Sequence, residues 1–185
     1  MRSRIGARLV RSWAHTNLPR SGTVIDVGCG SGVPIAEILL EAGFEVYGID
    51  ASPILLAAFQ RRFPGVPSAC ETAQDGTYFG RQFDGAVCVG MLFLLSGKDQ
   101  QRVIRRIAKS LVDGGRLLFS APHERCEWRD ALTGRNSISL GFPEYQRILR
   151  ETGLTLVGTC ADEGDNNYFH AVKRAGADLG IGQNG

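Results

Sequence analysis

The sequence lacks the features that would place it among membrane or nucleic-acid-binding proteins. No apolar run approaches the length needed to span a membrane. The 21 lysine and arginine residues are nearly balanced by 19 aspartate and glutamate residues, so no charge excess indicates nucleic acid or a membrane surface as a partner. We therefore expect a cytoplasmic protein that binds neither nucleic acid nor membranes.

Cysteine is present, but without the spacing of a disulfide framework or a zinc site. The five cysteines form no Cys-x-x-Cys pair, and an odd number cannot be fully paired. This pattern favours free thiols in a reducing compartment and predicts no metal site. The cysteines are Cys29, Cys70, Cys88, Cys126 and Cys160.

Acidic residues are missing from the first 25 positions: Asp26 is the first acid, and five arginines precede it. This composition resembles a transit peptide, but there is no small-residue cleavage signal and no serine richness. An amphipathic helix within residues 1–18 is the favoured interpretation. The length suits a single domain over 1–174, followed by a glycine-containing flexible tail over 175–185.

Apolar runs alternate with helical patterns along most of the chain. This alternation predicts an α/β fold with a doubly wound, mostly parallel seven-stranded sheet and helices on both faces. Two C-terminal strands flank a turn-rich loop at 162–166, which predicts an antiparallel hairpin. The predicted strands are 23–28, 44–49, 67–71, 84–90, 115–121, 154–159 and 168–172, and the predicted helices are 32–42, 53–62, 98–111 and 142–152.

The most informative segment reads Val-Ile-Asp-Val-Gly-Cys-Gly-Ser-Gly over residues 24–32, and the next predicted strand ends in Asp50. A glycine turn between a buried strand and a helix lets bare backbone approach a ligand and directs free N–H groups towards it. An acid at the end of the following strand can accept hydrogen bonds from both hydroxyls of a ribose. Together these features predict an adenosine-like cofactor.

Two details weigh against a dinucleotide as that cofactor. The dinucleotide fingerprint is Gly-x-Gly-x-x-Gly, but here the glycines are Gly28, Gly30 and Gly32, and Val33 stands at the third dinucleotide position. Asp26 lies inside the strand, two residues before the first glycine. An acid there would repel a pyrophosphate, whereas it suits a ligand that carries an ammonium and a sulfonium.

The segment from Val24 to Gly32 resembles motif I of the class I S-adenosylmethionine-dependent methyltransferases, and Asp50 matches the ribose-binding acid of that family. The resemblance covers about residues 20–173. It implies a Rossmann-like fold whose last strand inserts antiparallel, with S-adenosyl-L-methionine as cofactor. It also implies that Asp26 meets the turn amides and the cofactor ammonium. Glu71 would meet the adenine amino group, although a surface glutamate explains that residue equally well.

Ligands of open parallel sheets bind outside the carboxyl ends of the strands, so the segments just after each strand supply the candidate residues. Val89 and Met91 follow the fourth strand and are expected to wall the methionine moiety, with plain core packing as the alternative. The predicted cofactor-binding residues are Asp26, Gly28, Cys29, Gly30, Gly32, Asp50, Ala51, Ser52, Glu71, Thr72, Val89 and Met91.

The catalytic candidates are His123, which follows the fifth strand, and Asp165 and Tyr168 in the C-terminal hairpin. A base helps methyl transfer only if the acceptor is a phenol, acid, thiol or ammonium, because alignment alone lowers much of the barrier. A histidine that only bonds a loop, and ordinary turn chemistry in the hairpin, are the alternatives. Phe93 and Tyr168 either face the sulfonium through cation–π attraction or pack in the core.

The segment 89–93 lacks the Asn/Asp-Pro-Pro-Tyr/Phe and Pro-Cys patterns of enzymes that methylate nucleobases, so base methylation is disfavoured. We expect a methyltransferase that acts on an oxygen, nitrogen or sulfur atom of a small-molecule substrate, as a monomer or homodimer. Two alternatives remain: an NAD(P)-dependent oxidoreductase, and a non-catalytic protein that binds S-adenosylmethionine.

Overall fold

Strands and helices alternate along the chain, as the apolar periodicity predicts. The computed structural model describes residues 4–129 and 134–176. In chain order, the elements are α1 (Ala7–Asn17), β1 (Thr23–Val27), α2 (Ile35–Glu41), β2 (Glu45–Asp50), α3 (Pro53–Arg62), β3 (Ser68–Cys70), β4 (Phe83–Cys88), α4 (Gly97–Ser110), β5 (Leu111–Ser120), β6 (Arg125–Arg129), β7 (Asn136–Leu140), α5 (Phe142–Glu151), β8 (Leu154–Ala161) and β9 (Asn167–Lys173).

Seven of these strands form one sheet in the order β3-β2-β1-β4-β5-β9-β8. Strands β1 to β5 pair in parallel, and β9 pairs antiparallel with both β5 and β8. The predicted fold class is confirmed, including the C-terminal antiparallel hairpin. The chain moves outward from β1 through β2 to β3, and then in the other direction from β4. The crevice outside the carboxyl ends of β1 and β4 is therefore the switch point where such sheets bind ligands.

Both faces of the sheet are covered, because neighbouring residues of one strand pack against different helices. Val24 packs in a layer with side chains of α1, α2 and α3, whereas Ile25 packs in a layer with side chains of α4 and α5. Strands that are buried on both faces read as continuous apolar runs, which is what the sequence shows. Because helices cover both faces of the sheet, a ligand can reach the strands only at their ends.

Two element boundaries differ from prediction by more than two residues. Helix α2 begins at Ile35 instead of residue 32, because Pro34 occupies the N-cap position and a residue before proline disfavours helical backbone. Strand β5 begins at Leu111 instead of residue 115. Its pairing with β4 is irregular between Phe83 and Gly85, so the turn predicted at 113–115 is an irregularity within the strand.

The sequence did not predict the small antiparallel sheet of β6 and β7, which follows β5. Part-buried hydrogen bonds attach it to α4 and to the segment that follows β5. The Ser139 hydroxyl donates to the Pro122 carbonyl at 2.7 Å, and the Gln100 side-chain amide donates to the Ile138 carbonyl at 2.9 Å. The small sheet therefore stands beside the carboxyl edge of β5.

The chain ends bear on two further predictions. Helix α1 lies within the helix predicted for residues 1–18. Most of the predicted tail, residues 177–185, falls outside the described residues. Within 4–129 and 134–176, no helix is long and apolar enough to cross a membrane.

Candidate functional site

The glycine turn after β1 places its three glycines in the left-handed region, with φ of 78° at Gly28, 54° at Gly30 and 81° at Gly32. A Cβ atom at Gly28 would lie 2.7 Å from Met91 Cγ, and one at Gly32 would lie 2.8 Å from Phe59 Cδ2. At Gly30 the nearest heavy atom would be 3.9 Å away. Protein packing therefore explains Gly28 and Gly32, and Gly30 is the position of the turn that stays open to a ligand.

Asp50 is tied to this turn by two short hydrogen bonds. The Gly30 amide donates to its Oδ2 at 2.8 Å, and the Ser52 amide donates to its Oδ1 at 2.8 Å. These bonds fix the carboxylate at the end of β2, facing the glycine turn. Each carboxylate oxygen retains a second acceptor site, so the ribose hydroxyls predicted for Asp50 have room to donate.

Asp26 is the unusual residue of the site. Its side chain is buried, and its Oδ2 atom has no hydrogen-bond partner within the described part of the chain. Burial, and then the nearby charge of Asp50, raise the pKa of Asp26 to about 7. A buried carboxyl without a partner is costly, so it marks a position for a group that this chain does not supply.

Glu71 has a different environment from the one predicted. Its carboxylate accepts hydrogen bonds from the Thr77 amide at 2.9 Å, the Thr77 hydroxyl at 3.0 Å and the Tyr78 amide at 3.0 Å. The carboxylate therefore closes the loop from Thr72 to Tyr78, which forms one wall of the site. Its contact with an adenine amino group stays a prediction, and the observed bonds show a bracing role.

A cavity of about 490 Å³ lies outside the carboxyl ends of β1, β2 and β3. We call it the cofactor cleft. Asp50 lies at the end of β2, between the turn after β1 and the loop after β3. The predicted cofactor residues that line it are Gly28, Asp50, Ala51, Ser52, Glu71, Thr72 and Met91.

Five of the predicted cofactor residues do not line this cleft, namely Asp26, Cys29, Gly30, Gly32 and Val89. The thiol of Cys29 is buried, and a Cβ atom at Gly48 would lie 2.9 Å from it, so Cys29 packs between the turn and β2. Gly32 lies against Phe59 of α3. Val89 lines a second cavity instead of the cofactor cleft.

This second cavity, of about 420 Å³, lies beyond β4 and β5, and we call it the acceptor cavity. Its apolar wall contains Phe93 and Trp128, whose ring centroids are 5.3 Å apart. Its polar wall is the hairpin loop from Asp162 to Tyr168, and Ile5 of the N-terminal segment also lines it. The cavity thus has an aromatic side and a side rich in hydrogen-bonding groups.

A hydrogen-bond network centred on Asp162 shapes the polar wall. Its Oδ1 accepts from the Gly164 amide at 2.8 Å and the Asn166 amide at 3.0 Å, and its Oδ2 accepts from the Tyr168 hydroxyl at 3.0 Å. Partial burial opposes ionisation of Asp162, but hydrogen bonds led by that of the Asn166 side chain outweigh it and lower its pKa. Asp162 is therefore an ionised anchor for the loop.

The catalytic candidates in the hairpin differ in their surroundings. Tyr168 is buried and donates its proton to Asp162, and burial followed by that hydrogen bond raises its pKa. The geometry accordingly favours Tyr168 as a brace and not as a proton acceptor. Asp165 is exposed, adopts φ of 59° and lines the acceptor cavity.

His123 follows β5 at the predicted edge of the sheet, but its ring does not line the acceptor cavity. The ring packs 5.1 Å from the Phe169 ring and 5.7 Å from the Phe142 ring, measured between centroids. Its Nε2 atom is buried without a partner among the described residues. The aromatic contacts draw the imidazole towards α5, so its role as a base stays a prediction that this geometry does not favour.

Sequence reasoning missed Trp128 and Ile5 and named Asp162 only as part of a loop. Trp128 lies on β6, and the alternation of exposed and half-buried residues in β6 is the strand signal that could have identified it. Ile5 precedes α1 and carries no such signal. Its position depends on the contact of the N-terminal segment with Gly164, which a sequence pattern cannot show.

The residues present fit the S-adenosylmethionine that the resemblance implies. The orphaned Oδ2 of buried Asp26 suits an ammonium group, the open face at Gly30 admits close approach of a ligand, and Asp50 has free acceptor sites beside the cleft. The described residues contain no cluster of three or more His, Cys, Asp or Glu that could hold a metal ion.

Comparison with known proteins agrees with this arrangement. Residues 1–159 match the family model described as a methyltransferase domain. The chain is 33% identical over 112 residues to YqeM of Bacillus subtilis, a protein named as a methyltransferase, and 26% identical over 170 residues to the O-methyltransferase resE of Aspergillus sclerotiorum. These matches cover 58% and 85% of this chain, but 45% and 61% of the relatives' own lengths.

Solved structures share the fold. The 1,6-didemethyltoxoflavin-N1-methyltransferase of Burkholderia thailandensis superposes with a TM-score of 0.74 at 23% identity, covering 91% of this chain and 78% of that one. The amino pentose methyltransferase CalS10 of Micromonospora echinaspora gives a TM-score of 0.73 at 18% identity, covering 90% and 89%. Because the family model matches most of its length, the chain belongs to the methyltransferase domain family.

Proposed function

We propose that this protein transfers a methyl group from S-adenosylmethionine to a small-molecule acceptor. The observation that carries the proposal is the arrangement of two cavities at the carboxyl edge of the sheet. Gly90 lines the acceptor cavity and the next residue, Met91, lines the cofactor cleft. Two ligands bound there would meet at the segment after β4, which is the juxtaposition that a direct displacement requires.

The chain's own residues divide the work of holding the cofactor. Asp50 would accept hydrogen bonds from the ribose, and Asp26 would pair with the ammonium. The loop braced by Glu71 walls the cleft, and Thr72 lines it. The bound cofactor supplies an electrophilic methyl group on a sulfonium. Charge attraction to Asp26 explains why a buried acid stands where a dinucleotide site could not tolerate it.

Similar proteins support both the cofactor and a small acceptor. The Burkholderia structure contains S-adenosylhomocysteine together with 1,6-didemethyltoxoflavin, and the Aspergillus relative is named an O-methyltransferase. For an acceptor that must lose a proton, Asp165 is the candidate whose place on the cavity wall supports the role. We also propose that the protein is a monomer or a homodimer and that it is located in the cytoplasm. The five free cysteines support a reducing compartment.

Calorimetry with S-adenosylhomocysteine and NADH tests the cofactor assignment. We expect binding of the first and none of the second. Asp50→Ala should weaken S-adenosylhomocysteine binding by about 1.5–3 kcal/mol, or roughly 10- to 150-fold, because an ionic acceptor for ribose hydroxyls is lost. NADH binding without S-adenosylhomocysteine binding would overturn the proposal.

Asp84 offers a matched control at the opposite edge of the sheet. Its Oδ2 accepts from the Thr23 amide at 2.8 Å and the Thr23 hydroxyl at 3.0 Å, so it resembles Asp50 in bonding but lies near the start of β4. Asp84→Ala should lower the melting temperature and leave S-adenosylhomocysteine affinity unchanged. Equal losses of affinity in the two variants would mean that Asp50 acts through stability alone.

A further inference from the structure

The two walls of the acceptor cavity differ in chemistry, and together they restrict the acceptor. Phe93 and Trp128 supply adjacent aromatic rings on one side. Trp128 is only half-buried, so part of its indole surface is available for contact. Flat apolar surfaces of this kind favour aromatic ligands, which stack on them in offset or edge-to-face geometry.

Charge on the opposite wall has one sign. Asp162 and Asp165 both line the cavity, and none of the lining residues within 4–129 and 134–176 is lysine, arginine or histidine. Asp162 is nearly buried and spends its acceptor sites on the loop itself. A carboxylate or phosphate on the ligand would therefore face uncompensated repulsion in a partly desolvated space.

Hydrogen-bonding capacity on this wall comes from Asp165, Asn166 and Asn167, which border the cavity. The Asn166 side chain donates to Asp162 at 3.0 Å, which leaves Asp165 as the lining carboxylate outside that network. An acceptor with an N–H or O–H at its edge would find its complement there. A flat ligand can therefore contact the aromatic wall with its ring face and this polar edge with its N–H or O–H in a single orientation.

We propose that the acceptor is an aromatic molecule without negative charge, which stacks on Phe93 and Trp128 and directs an N–H or O–H group towards Asp165. This inference rests on the proposed function and specifies its substrate class. It excludes aromatic acids and phosphorylated compounds. It also gives the small sheet of β6 and β7 a role, because β6 carries one of the two stacking residues.

Two dyes that share one ring system separate the aromatic and the charge requirements. N-phenyl-1-naphthylamine is neutral, and 1-anilinonaphthalene-8-sulfonate is the same skeleton with a sulfonate. Fluorescence titration of the full chain should show the neutral dye binding at least about tenfold more tightly than the anionic one, because like charges oppose the sulfonate. Equal affinities would overturn the proposal.

Charge reversal in the loop tests the source of the discrimination. Asp165→Lys should reduce the preference for the neutral dye by about tenfold or more. Glu163→Lys is the matched control, since Glu163 is exposed in the same loop and does not line the acceptor cavity. The proposal fails if both variants change the preference equally, or if Asp165→Lys leaves it unchanged.

Aromatic substitution locates the dye. Trp128→Ala should weaken the neutral dye by roughly tenfold, and Trp128→Phe should keep most of the affinity, because a ring face is retained. Unchanged binding in both Trp128→Ala and Phe93→Leu would place the dye elsewhere and overturn the proposal.

Calorimetry with S-adenosylhomocysteine on each variant reports whether the cofactor cleft is intact. Failure of the wild-type chain in that calorimetry would count against the proposed function, whereas the dye ratio tests the acceptor class by itself.

Discussion

At the scale of the residue, the buried carboxyl of Asp26 favours binding of the cofactor ammonium but lowers the stability of the protein without cofactor. The pKa of this buried carboxyl is about 7 in the folded protein, against an ordinary value of 3.8. Between these values the folded state holds a proton that the unfolded state has lost. Stability is therefore fully present below about pH 4, declines as the pH rises towards about 7, and is flat above it.

Asp26→Asn should remove this pH dependence. Without cofactor, we expect the variant to be more stable than the wild type at pH 8, by at most about 4 kcal/mol, since each pKa unit corresponds to about 1.4 kcal/mol. Denaturant unfolding at pH 4 and pH 8 measures the difference. A variant that is less stable than the wild type at pH 8 would show that the carboxylate has a partner in the folded protein.

The same residue should make cofactor affinity depend on pH. Below about pH 7 the ammonium must displace a proton from Asp26, so S-adenosylhomocysteine should bind up to about tenfold more weakly for each pH unit. 5′-Methylthioadenosine lacks the ammonium and should bind independently of pH and of Asp26→Asn. Parallel calorimetric titrations of the two ligands distinguish a contact with the ammonium from a general effect on the cleft.

At the scale of the element, the glycines of the turn after β1 have two different roles: Gly32 allows close packing against α3, and Gly30 leaves the turn open to a ligand. Gly32→Ala should destabilise the protein by about 2–5 kcal/mol, from the left-handed backbone and the contact with Phe59. Gly30→Ala meets no close atom and should cost about 1–2 kcal/mol, from the backbone alone. Urea unfolding gives both values. For each kcal/mol of stability lost, calorimetry should show a larger loss of S-adenosylhomocysteine affinity in Gly30→Ala than in Gly32→Ala.

The elements also show how far the sequence predicts this fold. The order of strands and helices in the main sheet follows from apolar periodicity, and the site at the carboxyl ends of β1 and β2 follows from the glycines and Asp50. The β6–β7 sheet does not, because β7 buries two serines, Ser137 and Ser139, and leaves Ile138 and Leu140 half-buried, which reverses the usual strand pattern. The placement of His123 also could not be predicted, since it depends on the rings of Phe142 and Phe169 from distant parts of the chain.

At the scale of the whole molecule, the two cavities share a boundary but not their lining residues. The turn after β1 and the loops after β2 and β3 form one cavity, and the segment after β5 and the C-terminal hairpin form much of the other. Val89, Gly90 and Met91 separate them. Because the walls come from different elements, ligands in the two cavities should bind at the same time.

Differential scanning calorimetry tests simultaneous occupancy. At one hundred times its dissociation constant, S-adenosylhomocysteine should stabilise the chain by about 2.7 kcal/mol. For a protein of this size, that energy raises the melting temperature by roughly 5–11 °C. N-phenyl-1-naphthylamine at the same multiple should add a comparable shift, so that both ligands together give nearly the sum. If one cavity served both, competition would raise the stabilisation only from about 2.7 to about 3.1 kcal/mol, and the displacement geometry proposed for this site would be wrong.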